Sequence, residues 1–258
     1  MEPVRAIPQP VPRPIPRPPG AVTIDCWSTL IRDLDSGGAL RQRGAALAGV
    51  ATRLGRDLSP EAAAELIDRS WRCHVDEWRQ GRLFGPEGAA RWCLDQLGVL
   101  ARTEAVEELA EAIATGTLAV GTAAVEGAGD ALDALRRAGI PTALVCDTGF
   151  TPARCVREAL ALHSLSLDHY FFSDEVGMPK PHAPIFLAAL EATGARPENA
   201  VHIGDLRRTD VAGARAAGMA AVRFAGVHDD GWLEEDCRDA EGDAVLFRWA
   251  DLPTLLGL

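Results

Sequence analysis

The chain has 258 residues and a formal net charge of −11. This length suffices for one large domain, or for a domain with an insertion. A uniformly acidic protein repels phosphate backbones, so we expect no nucleic-acid partner, while a small phosphorylated ligand stays possible. The sequence has neither an apolar run near the ~20 residues that span a bilayer nor an apolar secretory leader, so we predict a cytoplasmic protein without a membrane partner.

The six cysteines include no C-x-x-C pair, which argues against a zinc knuckle or a thioredoxin-like site. Several of them lie inside apolar runs, where a free thiol acts as a small hydrophobic group. We therefore expect reduced cysteines, as is usual in the cytosol.

Residues 1–20 form a separate compositional block in which proline recurs at almost every second position. Proline at this density supports neither a helix nor a central strand. We predict a solvated, disordered tail of polyproline type, with docking on a partner protein as the alternative.

An apolar run at residues 21–26 predicts a buried strand that ends at Asp25. The apolar spacing then becomes helical, and it stays so through residues 34–123. Within this segment Ser59 is a good N-cap, because a proline and a glutamate follow it in the first helical turn. We therefore predict an all-helical insertion, a cap, over residues 34–123.

After the insertion, short apolar strands alternate with helices, which is typical of a parallel sheet with helices on both faces. Strands are predicted at 140–146, 170–173, 200–203, 220–224 and 244–247, and helices at 129–138, 151–162, 183–193 and 211–217. The fold class is therefore α/β, with a Rossmann-like core formed by residues 21–33 and 124–258. Ligands of such sheets bind at the carboxyl ends of the strands, where Asp25, Asp147 and Asp205 fall.

Three polar motifs supply candidate chemistry. Asp25 can act as a nucleophile, or it is a turn or cap residue. Asp205 and Asp210 offer the hard oxygen ligands that magnesium prefers, although Asp210 is also a candidate cap for the helix at 211–217. Lys180, which stands between two prolines, can shield a phosphoryl group or is a surface lysine.

In this order the motifs resemble those of the haloacid dehalogenase superfamily, which includes many phosphatases. The most specific stretches are residues 177–186 and 202–214, and the resemblance runs from about residue 22 to about residue 224. The helical insertion resembles the cap of the branch that contains haloacid dehalogenases and phosphoglycolate-type phosphatases.

The resemblance implies a role for several of these residues. Asp25 would be the nucleophile, and Lys180 would be the second catalytic residue. Mg²⁺ would be held by Asp25, by the main-chain carbonyl of Trp27 and by Asp205, with Asp210 supporting the metal site or Lys180.

The resemblance also implies substrate contacts. Thr29 and Lys180 would hold the phosphoryl oxygens. Cys146 stands where the family has a serine or threonine, and its thiol is a poorer hydrogen-bond donor. Thr148 would take over this role if the loop is shifted.

The sequence departs from the phosphatases of this family at Trp27, where they carry an aspartate that protonates the leaving group. Haloacid dehalogenases carry an aromatic residue there and displace halide, which needs no proton, but they lack the acidic pair. Because carboxylates clustered beside Asp25 need a cation, we predict a magnesium-dependent phosphatase of a small phosphorylated metabolite that works through an aspartyl-phosphate. The alternatives are a metal-independent 2-haloacid dehalogenase-like hydrolase and a catalytically degenerate binding protein.

The insertion carries an aromatic stripe of Trp71, His74 and Trp78, which share one helix face. This face either lines the crevice and selects the substrate or is an internal packing seam, which is the interpretation we favour. His202 lies within a predicted strand and is interpreted as a core histidine. A homodimer formed through the cap is also possible.

Overall fold

The computed structural model describes residues 12–99, 103–227 and 241–258. The strands are β1 (Ala21–Ile24), β2 (Ile31–Asp33), β3 (Thr122–Ala124), β4 (Thr142–Cys146), β5 (His169–Phe172), β6 (Ala200–Gly204), β7 (Ala220–Phe224) and β8 (Ala244–Leu246). The helices are α1 (Ser36–Arg53), α2 (Pro60–Arg79), α3 (Gly85–Gln96), α4 (Thr103–Val120), α5 (Ala128–Arg137), α6 (Ala153–Leu162), α7 (Ser173–Val176), α8 (Ala183–Thr193), α9 (Ala212–Ala216) and α10 (Leu252–Leu256).

Six of the strands form one parallel sheet in the order β5-β4-β1-β6-β7-β8. Every residue of β1, β4, β6 and β7 is buried, as expected for strands covered on both faces. Ile24 pairs with Leu144 of β4 and with Ile203 of β6, so the carboxyl ends of these three strands lie side by side. The predicted α/β fold is confirmed.

Helices pack on both faces of the sheet. One face is covered by α5, α6 and α10, whose Leu135, Val156 and Leu252 join the largest apolar cluster. The other face is covered by α8 and α9, which contribute Phe186 and Ala214 to a second cluster. The helices of the core therefore leave the carboxyl ends of the strands uncovered.

The four helices α1 to α4 lie between β2 and β3 and form the helical insertion, which has an apolar cluster of its own. Its largest fully buried side chains are Leu47, Ile67, Leu94, Leu109 and Ile113. Among the helices of the three described ranges, none combines the length and the apolarity that crossing a membrane requires.

A two-stranded antiparallel ribbon joins the insertion to the core. It consists of β2 and β3, with Arg32 opposite Ala123. The sequence prediction missed this ribbon and assigned residues 122–123 to the helical segment. Three-residue strands are too short for an alternating pattern to show, and here they are set by pairing between residues far apart in the chain.

Residues 12–20 of the predicted tail run in extended form along the core, and five of these nine residues are exposed. The Arg13 backbone N–H donates to Asp243 Oδ1 at 2.8 Å, Ile15 packs on the main apolar cluster, and Pro19 is buried. An extended proline segment makes no ladder hydrogen bonds of its own, but it can still dock through side chains and its few N–H groups. Residues 1–11 of the predicted tail lie outside the described residues.

Candidate active site

Asp25 sits directly after the central strand β1. Its backbone N–H donates to the Ile203 carbonyl at 2.8 Å, which extends the sheet ladder by one residue and directs the carboxylate to the open edge. Oδ1 lies 2.5 Å from Lys180 Nζ, and Oδ2 accepts a hydrogen bond from Thr29 Oγ1 at 3.2 Å. Burial raises the pKa of Asp25 to about 6, against the opposing effect of the Lys180 charge.

The loop after Asp25 folds back on itself. The N–H groups of Leu30 and Ile31 both donate to the Cys26 carbonyl, and Ser28 takes a left-handed conformation with φ of 58°. This turn returns the fully buried Thr29 to Asp25, so Thr29 supports the Asp25 carboxylate and is not among the described residues that line the cavity. Trp27 does line the cavity, and a metal contact from its carbonyl stays a prediction.

Lys180 bridges two carboxylates within the fold. Its Nζ lies 2.7 Å from Asp210 Oδ1 and 2.5 Å from Asp25 Oδ1, and the side chain is only 3% exposed. Burial alone would lower the pKa of Lys180, but Asp210 and Asp25 outweigh it and raise the pKa well above its usual value. The alternative of a solvated surface lysine is therefore wrong.

Asp210 is held from three directions. It accepts hydrogen bonds from Lys180 Nζ, from His202 Nε2 at 3.0 Å and from the Leu206 backbone N–H at 3.0 Å. Burial favours the neutral acid, but Lys180 and His202 outweigh it and lower the pKa of Asp210. His202 also contacts Thr23 Oγ1 at 2.8 Å, so it is the buried, satisfied histidine that the sequence predicted.

The interpretation of Asp210 as a helix cap is wrong. The helix α9 begins after a wide turn, Arg207–Val211, and its N-cap position is Val211, without a side-chain cap. Asp210 instead closes the loop that follows β6 by accepting the Leu206 N–H. This closure fixes the acidic side chain beside Lys180.

Three carboxylates converge at the strand ends. One oxygen each from Asp25, Asp205 and Asp210 can be chosen so that all three lie within 4.8 Å of one another. Burial and the charges of Asp25 and Asp210 raise the pKa of Asp205 well above its usual value. This repulsion is what a divalent cation relieves, and carboxylate oxygens are the ligands magnesium prefers. The donor set therefore fits magnesium.

The structure does not bring Cys146 to the cavity. Its thiol is fully buried in the sheet and lies 3.4 Å from the Asp147 carbonyl, and Cys146 is not among the described cavity-lining residues. Burial, reinforced by Cys26, raises the pKa of Cys146 well above its usual value, so it stays a neutral thiol. Thr148 does line the cavity, with its hydroxyl 3.2 Å from Ser173 Oγ.

Asp147 is a site residue whose role the sequence did not predict. Its Oδ1 accepts the Lys180 backbone N–H at 2.9 Å, and its Oδ2 accepts the indole N–H of Trp78 at 2.9 Å. Trp78 also lies under the Arg208 guanidinium, which is 4.1 Å from the ring centroid. Asp147 therefore ties the lysine loop to the helical insertion, a contact between segments that share no local sequence signal.

A cavity of about 650 Å³ lies between the strand ends and the helical insertion. The carboxylates and Lys180 form its floor, and Trp71, His74, Trp78 and Phe150 belong to its wall. The whole stripe of Trp71, His74 and Trp78 lines the cavity, so it faces the cavity as well as packing. The favoured interpretation of a purely internal seam is therefore wrong.

Gly204, at the end of β6, is expected to be essential to this geometry. A Cβ there would lie 2.3 Å from Asp210 Cγ, and Asp210 is too tightly bonded to move away freely. We expect Gly204→Ala to lower the free energy of unfolding by about 1–3 kcal/mol and to reduce turnover. The control is Gly49→Ala within α1, where only the Arg53 side chain lies within 4 Å. That variant should be neutral or slightly stabilising in chemical unfolding, and equal behaviour of the two would contradict the close-contact argument.

The chain belongs to the haloacid dehalogenase-like hydrolases, because the model of that family matches residues 20–218. This confirms the family predicted from the motifs. A relative named glyceraldehyde 3-phosphate phosphatase, from Methanopyrus kandleri, is 38% identical over 78 residues, which are 29% of this chain and 34% of that protein. The chain thus spans about a third of the length of this curated relative.

Solved structures with the same fold include both chemistries of the family. A HAD phosphatase from Thermococcus onnurineus is 21% identical with a TM-score of 0.63, and the match covers 92% of this chain and 97% of that one. A 2-haloacid dehalogenase from Pseudomonas syringae pv. tomato DC3000 is 22% identical with the same TM-score of 0.63 and the same coverage, 92% and 97%. The likeness establishes the fold and does not discriminate between the two reactions.

Proposed function

We propose that this protein is a magnesium-dependent phosphatase that hydrolyses a small phosphorylated metabolite through an aspartyl-phosphate on Asp25. The observation that carries the proposal is the group of three carboxylates, Asp25, Asp205 and Asp210, gathered around one buried lysine. Such a cluster suits a dianionic phosphate that arrives with a divalent cation. A relative is named as a phosphatase of a small phosphorylated metabolite, which agrees with this assignment.

The residues of the chain divide the work of the reaction. A carboxylate oxygen of Asp25 attacks phosphorus, the bond to the leaving oxygen breaks, and water then hydrolyses the acyl phosphate. The Lys180 ammonium neutralises Asp25 before the substrate binds and holds phosphoryl oxygens during transfer. Thr29 orients Asp25 through its 3.2 Å hydrogen bond, and Asp210 holds Lys180 in place.

Asp25, Asp205 and the carbonyl of Trp27 would hold Mg²⁺, with Asp210 in support. When bound, the ion supplies positive charge that offsets the repulsion between the carboxylates and the phosphate. Burial and the charges of Asp25 and Asp210 raise the pKa of Asp205 against the opposing charge of Lys180, which supports this assignment.

A dehalogenase is the second candidate, and Trp27 is the observation that favours it. An aromatic residue at the cavity beside Asp25 suits displacement of a group that needs no proton. Against this candidate stand Asp205 and Asp210, because displacement of halide from a 2-haloacid gives no use for a cation site.

The remaining expectations concern the cellular location and the oligomeric state of the protein. The proposal includes a cytoplasmic location, which agrees with the finding that the five cysteines of the described residues are free thiols. Cys237 lies outside the described residues. Pairing of two copies through the helical insertion also stays a prediction.

The test is release of inorganic phosphate from a panel of phosphorylated metabolites and acetyl phosphate, in magnesium or in excess EDTA. We expect release in magnesium, loss of release in EDTA, and recovery when magnesium is added back. Release that is unaffected by EDTA would contradict the metal assignment. Halide release from 2-haloacids without phosphate release would establish the dehalogenase instead. A folded protein without either activity would favour the degenerate binding protein.

A further inference from the structure

The carboxylates on the cavity floor already have hydrogen-bond partners or proposed roles other than protonating a leaving group. Both oxygens of Asp147 accept hydrogen bonds, from the Lys180 backbone N–H and from the Trp78 indole N–H. Asp210 is occupied by the Lys180 ammonium, His202 and the Leu206 N–H. Asp25 is the proposed nucleophile and Asp205 is a proposed magnesium ligand, so none of these four groups is disposed to protonate a leaving group.

The acidic groups on the cavity wall are no better placed. Asp68 forms an ion pair with Arg72 at 2.6 Å, and its side chain is 39% exposed. Burial lowers the pKa of Arg43 to about 10, and the charge of Asp33 opposes this shift, so Asp33 interacts with the Arg43 guanidinium. Each of these two carboxylates thus already interacts with an arginine.

Among the described residues of this wall, His74 is the remaining side chain to consider as a general acid. Burial lowers the pKa of His74 to about 4, so at neutral pH the imidazole carries no proton to give as an acid. Its Nδ1 is buried without a hydrogen-bond partner among the described residues. The group next to the nucleophile, Trp27, is not an acid at all. Within the described residues, the cavity is therefore built for a leaving group that departs without a proton.

One part of the cavity wall is aromatic. The Trp71 ring lies 4.8 Å from His74 and 5.1 Å from Phe150, measured between ring centroids. The loop after β4 passes close under the indole, because a Cβ on Gly149 would lie 3.3 Å from Trp71. Trp27 faces the same space from the floor. A volume of about 650 Å³ also exceeds what a three-carbon sugar phosphate fills and suits a ring-bearing ligand.

We propose that the substrate is an aryl phosphate monoester, whose leaving group is a phenol-type oxygen on an aromatic ring that packs between Trp27 and the Trp71–Phe150 wall. The inference rests on the proposed phosphatase function and specifies its substrate class. Two separate observations support this inference. They are the lack of a proton donor and the aromatic part of the wall. A phenolate is a weak base that leaves unaided, and its ring stacks on indole and phenyl faces.

The reaction balances without a protein acid. One Asp25 carboxylate oxygen forms a bond to phosphorus as the bond between phosphorus and the aryl oxygen breaks, and the electron pair leaves on the phenolate. Water then attacks phosphorus of the acyl phosphate, which restores the Asp25 carboxylate and gives inorganic phosphate. The proton lost from that water ends on the phenolate through solvent.

The test compares phenyl phosphate with cyclohexyl phosphate, which is similar in size but has a strongly basic leaving group, and uses acetyl phosphate as a reference that needs no acid. We expect kcat/KM for phenyl phosphate to exceed that for cyclohexyl phosphate by more than about 10²-fold. Across substituted phenyl phosphates, kcat/KM should rise steeply as the leaving group becomes less basic. These wild-type measurements require no variant.

Two variants separate the leaving-group argument from the packing argument. Trp27→Asp should raise turnover of cyclohexyl phosphate by about 10²-fold and flatten the dependence on leaving-group basicity, because it supplies an acid. Trp71→Leu should raise KM for phenyl phosphate about tenfold, and more than for acetyl phosphate. Trp92→Leu is the control, since Trp92 packs under Arg69 away from the cavity and should leave these ratios unchanged.

The outcomes distinguish this inference from the proposed function. Equal kcat/KM for phenyl and cyclohexyl phosphate, with acetyl phosphate hydrolysed in magnesium, would overturn the aryl substrate and leave the phosphatase standing. Failure to hydrolyse acetyl phosphate and every other phosphate would overturn both. A preference for phenyl phosphate that survives Trp71→Leu with KM unchanged would refute the role of the aromatic wall.

Discussion

Replacement of Lys180 by methionine is expected to abolish phosphate release and to lower the free energy of unfolding by about 3–5 kcal/mol. The ammonium is 3% exposed and contacts Asp25 and Asp210 at 2.5 and 2.7 Å. Methionine fills much of the same volume but leaves both carboxylates buried without their counter-charge. Denaturant unfolding, followed by circular dichroism, measures the loss of stability.

The control for Lys180→Met removes a cation from an exposed pair. Arg91 pairs with Glu87 on the surface of α3, where the side chains are 55% and 67% exposed. Arg91→Met should change stability by less than about 1 kcal/mol and leave turnover intact. If Lys180→Met proved as mild as Arg91→Met, the carboxylates would not depend on the lysine, and the site would have to be reinterpreted.

Asp25→Asn is expected to lower kcat by more than about 10³-fold while the fold is retained. The amide has the shape of the carboxylate but cannot form an acyl phosphate with the substrate. Lys180 keeps its partner Asp210 in this variant, so the site should not collapse. Steady-state phosphate release gives kcat, and mass spectrometry of the peptide that contains residue 25 reports whether a phosphoryl group is transferred.

Asp68→Asn is the matched control, because Asp68 also lines the cavity but pairs with the exposed Arg72. We expect its kcat to stay within about tenfold of wild type. A phosphorylated peptide from Asp25→Asn, or turnover close to that of the control, would show that another residue is the nucleophile.

The convergence of Asp25, Asp147 and Asp205 was predictable from the sequence. Parallel strands in register bring their carboxyl ends to one edge, so polar residues that follow buried apolar runs meet there. Asp210 was predictable as a neighbour of this site, although its part in closing the loop after β6 was not. Local sequence patterns identify these positions because an apolar run shows that a strand is buried and where along the chain it ends.

Three features could not be read from local sequence. The side chain of Cys146 packs in the main apolar cluster on one face of the sheet, because side-chain direction at a strand end depends on where the strand stops. The hydrogen bond from Trp78 to Asp147 joins the insertion to the core, and the local sequence around either residue does not indicate this contact. The docking of residues 12–20 depends on Asp243, at the far end of the chain.

The ribbon of β2 and β3 couples the orientation of the helical insertion to the loop after Asp25. Both chain crossings between the insertion and the core run through it, and β2 begins at Ile31, which is bonded back to Cys26. Any tilt of the insertion about this ribbon is therefore passed directly to the loop that orients Asp25. Access to the cavity and the alignment of the attacking Asp25 oxygen thus both depend on the ribbon of β2 and β3.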